Sequence, residues 1–452
     1  MAAKDRSIYE IFTIRSNDGS KTIDMRGGIV SFSYFENVFS PMITAQVLIT
    51  TTGNVITDED GDLTSIYNGL PLRGGEKVSF KIPANSENNV DLEFTEENGN
   101  ELYVGSITNV LIEAEKEIFT LNLVSREAIT NETTRVVKKY PTSLSISDSV
   151  KEILKDTTIL KTNKFSETSI EKSQNRYGFI GNLRKPFTVL VWLASKAVPV
   201  SSGDATAGFV FYQTQDGFNF RSIQNLIDDG VKKAKENQVP EYVYTEVNES
   251  QLENNSRNND FQITTYTTDR NQNLIEKLRL GTYASQRMFF NPLTFNFTTP
   301  EQGLFQYSNY GDKAGNLGDP IDLPPLSETS EKTLGQTPTR ILSSVLDIGT
   351  VEVGVSTDKN ADPSENQAQS IMRYNVLFTQ TVSMTVPCNT NLRAGDVIKC
   401  FLPKISRSDG QEFDSDQSGL YMIKELCHHF DKTRSFTSML LVRDTFGLYT
   451  GK

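Results

Sequence analysis

Three acidic residues alternate at Asp58, Asp60 and Asp62, with Glu59 and Gly61 between them. Carboxylates at the first, third and fifth positions open a calcium loop, which also needs glycine at its sixth position and glutamate at its twelfth. Leu63 and Gly69 stand there instead, so the run reads as an acidic surface loop. Cys427, His428 and His429 are metal-capable neighbours, but successive side chains of a strand point to opposite faces, so at most two can share an ion. His428 or His429 with Asp431 and a distant serine supplies the parts of a nucleophile–base–acid set, yet no G-x-S-x-G elbow exists to present that serine. Paired carboxylates for glycoside hydrolysis stay open, because 57 acidic residues offer many pairs and the required separation is spatial. The chain has no G-x-G-x-x-G, G-x-x-x-x-G-K-[ST] or H-E-x-x-H, and these two histidines are its only ones. No cofactor, metal site or catalytic residue is expected.

The elements that must position these residues are mostly strands. Ile8–Ile14, Ile29–Asn37, Met42–Thr50 and Glu76–Pro83 are rich in Val, Ile, Thr, Tyr and Phe, and Leu102–Glu113 with Lys116–Ser125 forms a hairpin about Ala114–Glu115. Even spacing without helical period suggests a closed barrel or sandwich. The pattern changes near Ala128. Ser147 reads as the cap of a helix carrying Val150, Ile153 and Leu154 at helical spacing, and Pro186–Val198 as a helix opened by proline, with Trp192 in its core. Phe209–Gln213 and Phe218–Ser222 flank an Asp216–Gly217 turn. Glu249–Asp260 is a polar loop, and Pro300–Thr339 lacks periodicity, which leaves two readings, an interaction loop or a segment partly disordered when isolated. Strands return at Phe261–Thr267, Arg287–Thr298, Val376–Val386, Asp396–Leu402, Gly419–His428 and Ser435–Asp444.

Composition narrows the function classes. With 57 acidic against 45 basic residues the formal charge is −12, which argues against a nucleic-acid reader that neutralises phosphates. No apolar run of 18 residues and no signal-like start is present, so no membrane insertion is expected. Cys388, Cys400 and Cys427 are an odd set without framework spacing, which predicts a disulfide-free chain made in a reducing cytosol.

Three segments, in order, resemble the central baseplate hub protein of contractile-tailed, T-even-like phages and the related hub portion of type VI secretion spike proteins. The first is Val38-Phe39-Ser40-Pro41-Met42 running into Thr44–Ile49, then GLPLRGGEKVSFKI. The second is Asn182-Leu183-Arg184-Lys185-Pro186-Phe187 through Trp192 to Ala197, followed by Gly208–Tyr212 and Asp216-Gly217-Phe218. The third, and most specific, is Gly395-Asp396-x-Ile398, then Ser418-Gly419-x-Tyr421-x-Ile423, His428, and Val442-Arg443-Asp444.

The resemblance implies a mainly β fold in which two tube-type β-barrel domains, residues 1–127 and 259–452, flank an α+β middle domain at 128–258; an irregular insertion occupies about 300–361. It implies a non-enzymatic homotrimer in the virion tail baseplate, assembled in the host cytoplasm. Six barrels would adapt a threefold central spike to the sixfold tail tube and line a DNA conduit whose acidic lumen repels DNA. Implied partners are a separate spike protein, since the chain stops at Lys452, tail-tube initiator or baseplate–tube junction proteins, and surrounding wedge proteins. By position, Gly53–Asn68 corresponds to a loop reaching a neighbouring subunit or ring, with Asp58, Glu59, Asp60, Asp62, Leu63, Ile66 and Tyr67 as its contact residues. Gly395, Asp396, Gly419, Tyr421, Arg443 and Asp444 would fix the second barrel. The competing classes are a tail-associated glycan-degrading enzyme and a carbohydrate-binding adhesin.

Overall fold

The computed structural model describes residues 3–52, 56–57, 63–70, 72–86, 89–113, 116–200, 207–244, 260–270, 273–292, 294–297, 303–307, 316–319, 321–347, 360, 366–404 and 413–447. Strand exceeds helix by 42% to 17%, so the chain is mainly β. Alternation of apolar and polar residues builds the strands. In Ile29–Asn37, Phe32, Tyr34 and Glu36 turn inward while Ser33 and Phe35 turn outward. Thr44–Thr52 and Lys116–Ser125 follow the same rule, with Ala45, Val47, Ile49, Phe119, Leu121 and Leu123 inward.

Among the described residues these strands close no barrel. The amino- and carboxy-terminal β segments instead form one 14-stranded sheet. Its main path runs Thr265–Arg270, Gln380–Pro387, Ser435–Arg443, Gly419–Asp431, Ile29–Asn37, Thr44–Thr52, Lys116–Ser125, Leu102–Ile112, Lys77–Ile82, Ile11–Arg15, Thr22–Asp24. The seam is the antiparallel pairing of Ile29–Asn37 with Gly419–Asp431, in register from Asn37 opposite Glu425 to Ser31 opposite Asp431. Gly419–Asp431 is long enough to serve two neighbours: its first residues pair with Val397–Phe401 and its last with Ile29–Asn37. A bulge between Ile423 and Glu425 separates the two duties.

The sheet is packed on both faces: two cores lie on one side and a third covers part of the other, since Val397, Met422 and Val442 alternate along their strands with Ile398, Tyr421 and Leu441. One lies under the amino-terminal strands and takes in Phe430 and Cys388 from the far end of the chain. A second gathers Val382, Met384, Ile398, Tyr421 and Leu441. The third, at the seam, joins Val38, Val210, Tyr212, Ile227, Val397, Met422 and Val442. Residues between Ala128 and Phe220 hold a core of their own around Tyr140, Ile153, Phe179, Phe187, Leu190 and Phe211. Its helices are Arg126–Thr133, Ile146–Lys155 and Pro186–Ala194.

Several expectations shift in detail. Helix Ile146–Lys155 is capped by Ser145, whose side chain accepts from Asp148 N, whereas Ser147 lies inside the helix and its Oγ accepts from Ser173 N at 3.2 Å. Trp192 is half-buried at the edge of that core. Helices Ile223–Lys235, Leu274–Leu280 and Gln367–Val376, and strands Leu304–Gln306 and Arg340–Val345, are additions to the sequence assignment.

Candidate functional site on the open face of the sheet

The outward side chains of the central strands line up in rows across the sheet, because antiparallel register sets partners side by side. One row reads Ser106, Asn122, Gln46, Ser33, His429, Phe436. The next reads Val124, Thr44, Phe35, Cys427, Ser438, Thr385, Thr265. Neither row contains a lysine, arginine, aspartate or glutamate. Burial holds the imidazole of His429 below its ordinary value, so it adds no charge at neutral pH.

These polar groups bond to one another across strands. Gln46 Nε2 donates to Asn122 Oδ1 at 3.2 Å, and Asn122 Nδ2 donates to Ser106 Oγ and Thr108 Oγ1, each at 3.1 Å. Ser33 Oγ lies 2.8 Å from His429 Nδ1, and Thr385 Oγ1 lies 3.1 Å from Ser438 Oγ. Near the seam the face is concave, and Phe35, Asn37, Thr44, Cys427, Leu440 and Thr267 line the groove. The acidic excess of the chain therefore does not fall on these rows; Lys116 and Asp431 stand at strand ends, while Glu425, mid-strand beside the bulge, lines the groove and accepts from Asn37 Nδ2 at 2.9 Å.

The structure assembles part of the nucleophile–base–acid set that the sequence left open. Ser33 and His429 are paired, and Cys427 and Asp431 share their face. Two features differ from those of a working nucleophile–base–acid set. Asp431 accepts through Oδ1 from Thr433 N, Thr433 Oγ1 and Arg434 N, which ties it into the turn that follows. Burial pushes the Cys427 thiol up to about 11, the opposite of what a nucleophilic cysteine needs. His428, one residue away, faces the core, stacks on Tyr34 with a ring separation of 6.1 Å, and is driven down to about 3 by burial and by Arg393. Among the described residues no group of three His, Cys, Asp or Glu side chains is arranged to hold a metal ion. No helix there is long and apolar enough to cross a membrane.

Behind the open face, Glu36 ties three parts of the chain together. It is 2% exposed, and its carboxylate accepts from Tyr34 Oη at 2.8 Å, Gln215 N at 2.7 Å and Ala394 N at 2.9 Å. Gln215 belongs to the turn of the middle hairpin and Ala394 to the loop before Val397–Phe401. Arg393, beside it, donates from Nε to Asp216 Oδ2 at 2.9 Å. Burial outweighs these favourable partners and raises the Glu36 carboxyl to about 7.

The six motif residues near the carboxy-terminal end of the chain are internal. Gly395 has φ +94°, and a Cβ there would sit 2.6 Å from Tyr212 Oη, so glycine is required by both backbone and space. Asp396 Oδ2 accepts from Arg393 N at 2.9 Å. Gly419, at φ +137°, opens its strand, and Tyr421 Oη donates to Gln417 O at 2.5 Å. Arg443 and Asp444 do not pair with each other. The Arg443 guanidinium donates to the carbonyls of Thr445, Ser418, Gly447 and Asp416 and lies over the Tyr421 ring at 4.7 Å. Asp444 accepts from Arg373 Nη1 at 3.0 Å and from Leu317 N at 3.1 Å.

Of the loop residues singled out in the sequence, Asp58, Glu59, Asp60 and Asp62 lie outside the described residues. Leu63 is 61% exposed. Ile66 turns into the amino-terminal core, and Tyr67 packs on Phe119 while its N–H donates to Glu117 Oε1 at 3.1 Å. The residues that sequence reasoning missed are Glu36, Arg393 and the cross-strand polar rows. Glu36 did carry a signal, since it occupies the inward parity of Phe32 and Tyr34.

No family model and no curated protein matches the chain. Solved structures similar to it are phage tail proteins and type VI secretion components. The 43 kDa tail protein of prophage MuSo2 from Shewanella oneidensis aligns at 8% identity and TM-score 0.48 over 96% of this chain and 100% of that one. A tail protein from Neisseria meningitidis aligns at 9% identity and TM-score 0.46 over 96% of both chains. An E. coli type VI secretion component, described as similar to T4 tail proteins, aligns at 7% identity and TM-score 0.43 over 97% of this chain and 79% of that one. With TM-scores below 0.5, none of these likenesses carries functional weight by itself.

Proposed function

We propose that this chain is the structural hub of a phage tail baseplate. Three copies form a ring between a central spike and the tail tube, and the open face of the sheet lines the passage. The observation that supports this reading is the seam, which fuses two β units of one chain into a single sheet whose central strands carry rows of uncharged side chains on their open face. A sheet face whose central row stays polar across five strands, from Ser106 to His429, with few charges, suits a water-filled channel wall. Two β units per chain and three chains give six similar wall segments, which is how a threefold object can match a sixfold tube. The wall offers double-stranded DNA few cations to hold it, so passage is smooth through lack of attraction and without the acidic repulsion suggested by composition alone.

In this reading the chain is not an enzyme. The Ser33–His429–Cys427 cluster lacks an engaged carboxylate and an activated nucleophile. Spike, tube-initiator and wedge proteins are the partners, and Leu63 with its acidic neighbours reaches an adjacent subunit. Class averages of the purified chain by electron microscopy test the reading: rings with an open centre and six lobes are expected. Single compact particles without a central opening would overturn it.

A further inference from the structure

A second concavity shares no lining residue with the groove on the open face. Stretches far apart in the sequence meet in it: helix Ile223–Lys235 and the turn after it form part of the lining, the loop from Asn389 to Asp396 another, and Asn89 and Phe261 complete it. The cavity measures about 440 Å³, within the range of small-molecule sites, which form where separate parts of a fold meet.

Leu226, Val239, Leu392 and Val397 give it a buried apolar floor. Its polar groups are of two kinds. Asn389 and Asn391 are engaged within the protein, since Asn389 Nδ2 donates to Tyr242 Oη at 2.9 Å and Asn391 Oδ1 accepts from Val90 N at 2.8 Å. The others hold unused capacity. Asp396 accepts from Arg393 N through Oδ2, and no donor among the described residues reaches its Oδ1. Burial raises this carboxyl, as expected of a charge left short of partners. Lys233, Asn237 and Gln238 are exposed, and their side chains hold no hydrogen bond among the described residues.

The charges of the lining balance, with Arg221 and Lys233 against Asp229 and Asp396. Arg221 Nη2 donates to Asp229 Oδ2 at 2.5 Å, and Lys233 lies near enough to favour the ionised form of Asp396. Neither an anion nor a cation gains much by entering such a site. A hydroxyl both donates and accepts, so a ligand with adjacent hydroxyls can serve Asp396 Oδ1 and the free donors at once. Phe261 supplies a second kind of contact: its ring is 44% exposed and packs on the buried Tyr242 ring at a separation of 5.7 Å. The negative face of an aromatic ring suits the polarised C–H bonds of a sugar.

We infer that this cavity binds one neutral pyranose unit. Asp396 Oδ1 accepts from its hydroxyls, Lys233 and the carboxamides of Asn237 and Gln238 donate to them, and Phe261 meets its C–H face. The inference goes beyond the hub reading and holds whether the chain is a monomer or a trimer.

The test is saturation-transfer NMR on the full chain with the methyl glycosides of glucose, galactose, mannose and N-acetylglucosamine, and with glycine as a zwitterionic control. Each is offered at about 10 mM, which fills even a site with a Kd on the order of 1 mM. At least one glycoside is expected to receive saturation, and glycine none. Phe261→Ala, at an exposed position, and Asp396→Asn, which keeps an acceptor for Arg393 N, should each weaken binding of that glycoside roughly tenfold or more. Should Asp396→Asn fail to fold, Lys233→Gln combined with Gln238→Ala takes its place, with the same weakening expected. No transfer to any glycoside would overturn the inference, as would binding that is unchanged in all the variants. Tighter binding of glycine than of every glycoside would also overturn it, by assigning the site to a zwitterion.

Discussion

Protonation of Glu36 should be visible as a pH dependence of stability. The carboxyl titrates near 4.5 in the unfolded chain and near 7 in the fold, because burial penalises its charged form more than Arg393 and its three donors favour it. Between those values the folded chain holds a proton that the unfolded chain has released. Stability therefore falls as pH rises from 4.5 to about 7 and stays at its lower level above that. At about 1.4 kcal/mol per decade, the interval corresponds to about 3 kcal/mol. The perturbation is Glu36→Gln, which cannot titrate; its amide also turns a donor toward the Ala394 or Gln215 N–H, so the variant loses an acceptor and is less stable at low pH. Urea unfolding followed by far-ultraviolet circular dichroism from pH 4.5 to 8 gives wild type minus variant at each pH, and other titrating groups cancel in the difference. The difference should shrink with rising pH by about 3 kcal/mol and level off near pH 7.5. A flat difference would refute the reasoning, since it would mean that Arg393 keeps Glu36 ionised in the fold.

Further consequences can be checked on the same footing. Asp444→Ala leaves the buried guanidinium of Arg373 without its carboxylate and should cost about 3–5 kcal/mol in the urea midpoint analysis, while Arg373→Met with Asp444→Leu should recover most of the loss. Gly395→Ala sets a methyl group against Tyr212 Oη at a positive φ and should cost about 1–3 kcal/mol; adding Tyr212→Phe should return part of it. Cys427, held up to about 11, should react with iodoacetamide at pH 7.5 far more slowly than a free thiol, and a rate equal to that of free cysteine would contradict its burial between strands.

The strands were legible where the face rule is strict. Ile29–Asn37 alternates from Ser31 to Asn37, beyond a bulge between Ile29 and Ser31, and both its limits follow from the sequence. Ile223–Lys235 carries Ile223, Leu226, Ile227 and Gly230 at helical spacing behind the cap Ser222, a readable pattern obscured by the Asp228-Asp229-Gly230 run. That glycine is there because a Cβ would meet Val397 Cγ2 at 2.2 Å, a constraint from a strand more than 160 residues away in the sequence. The seam was not legible for the same reason: nothing local in Ile29–Asn37 announces Gly419–Asp431 as its neighbour. Even spacing suggested closed barrels, whereas pairing across the seam spends on one long sheet the edges that closure would have joined. Ser33 and His429 were each visible as polar residues at outward positions, but only register makes them partners.

The measurement that bears most directly on the central claim is the solution mass of the purified chain by light scattering near neutral pH, across a wide range of concentrations. A hub ring predicts a species of three times the 50.6 kDa chain mass. A mass of 50.6 kDa at every concentration would contradict it.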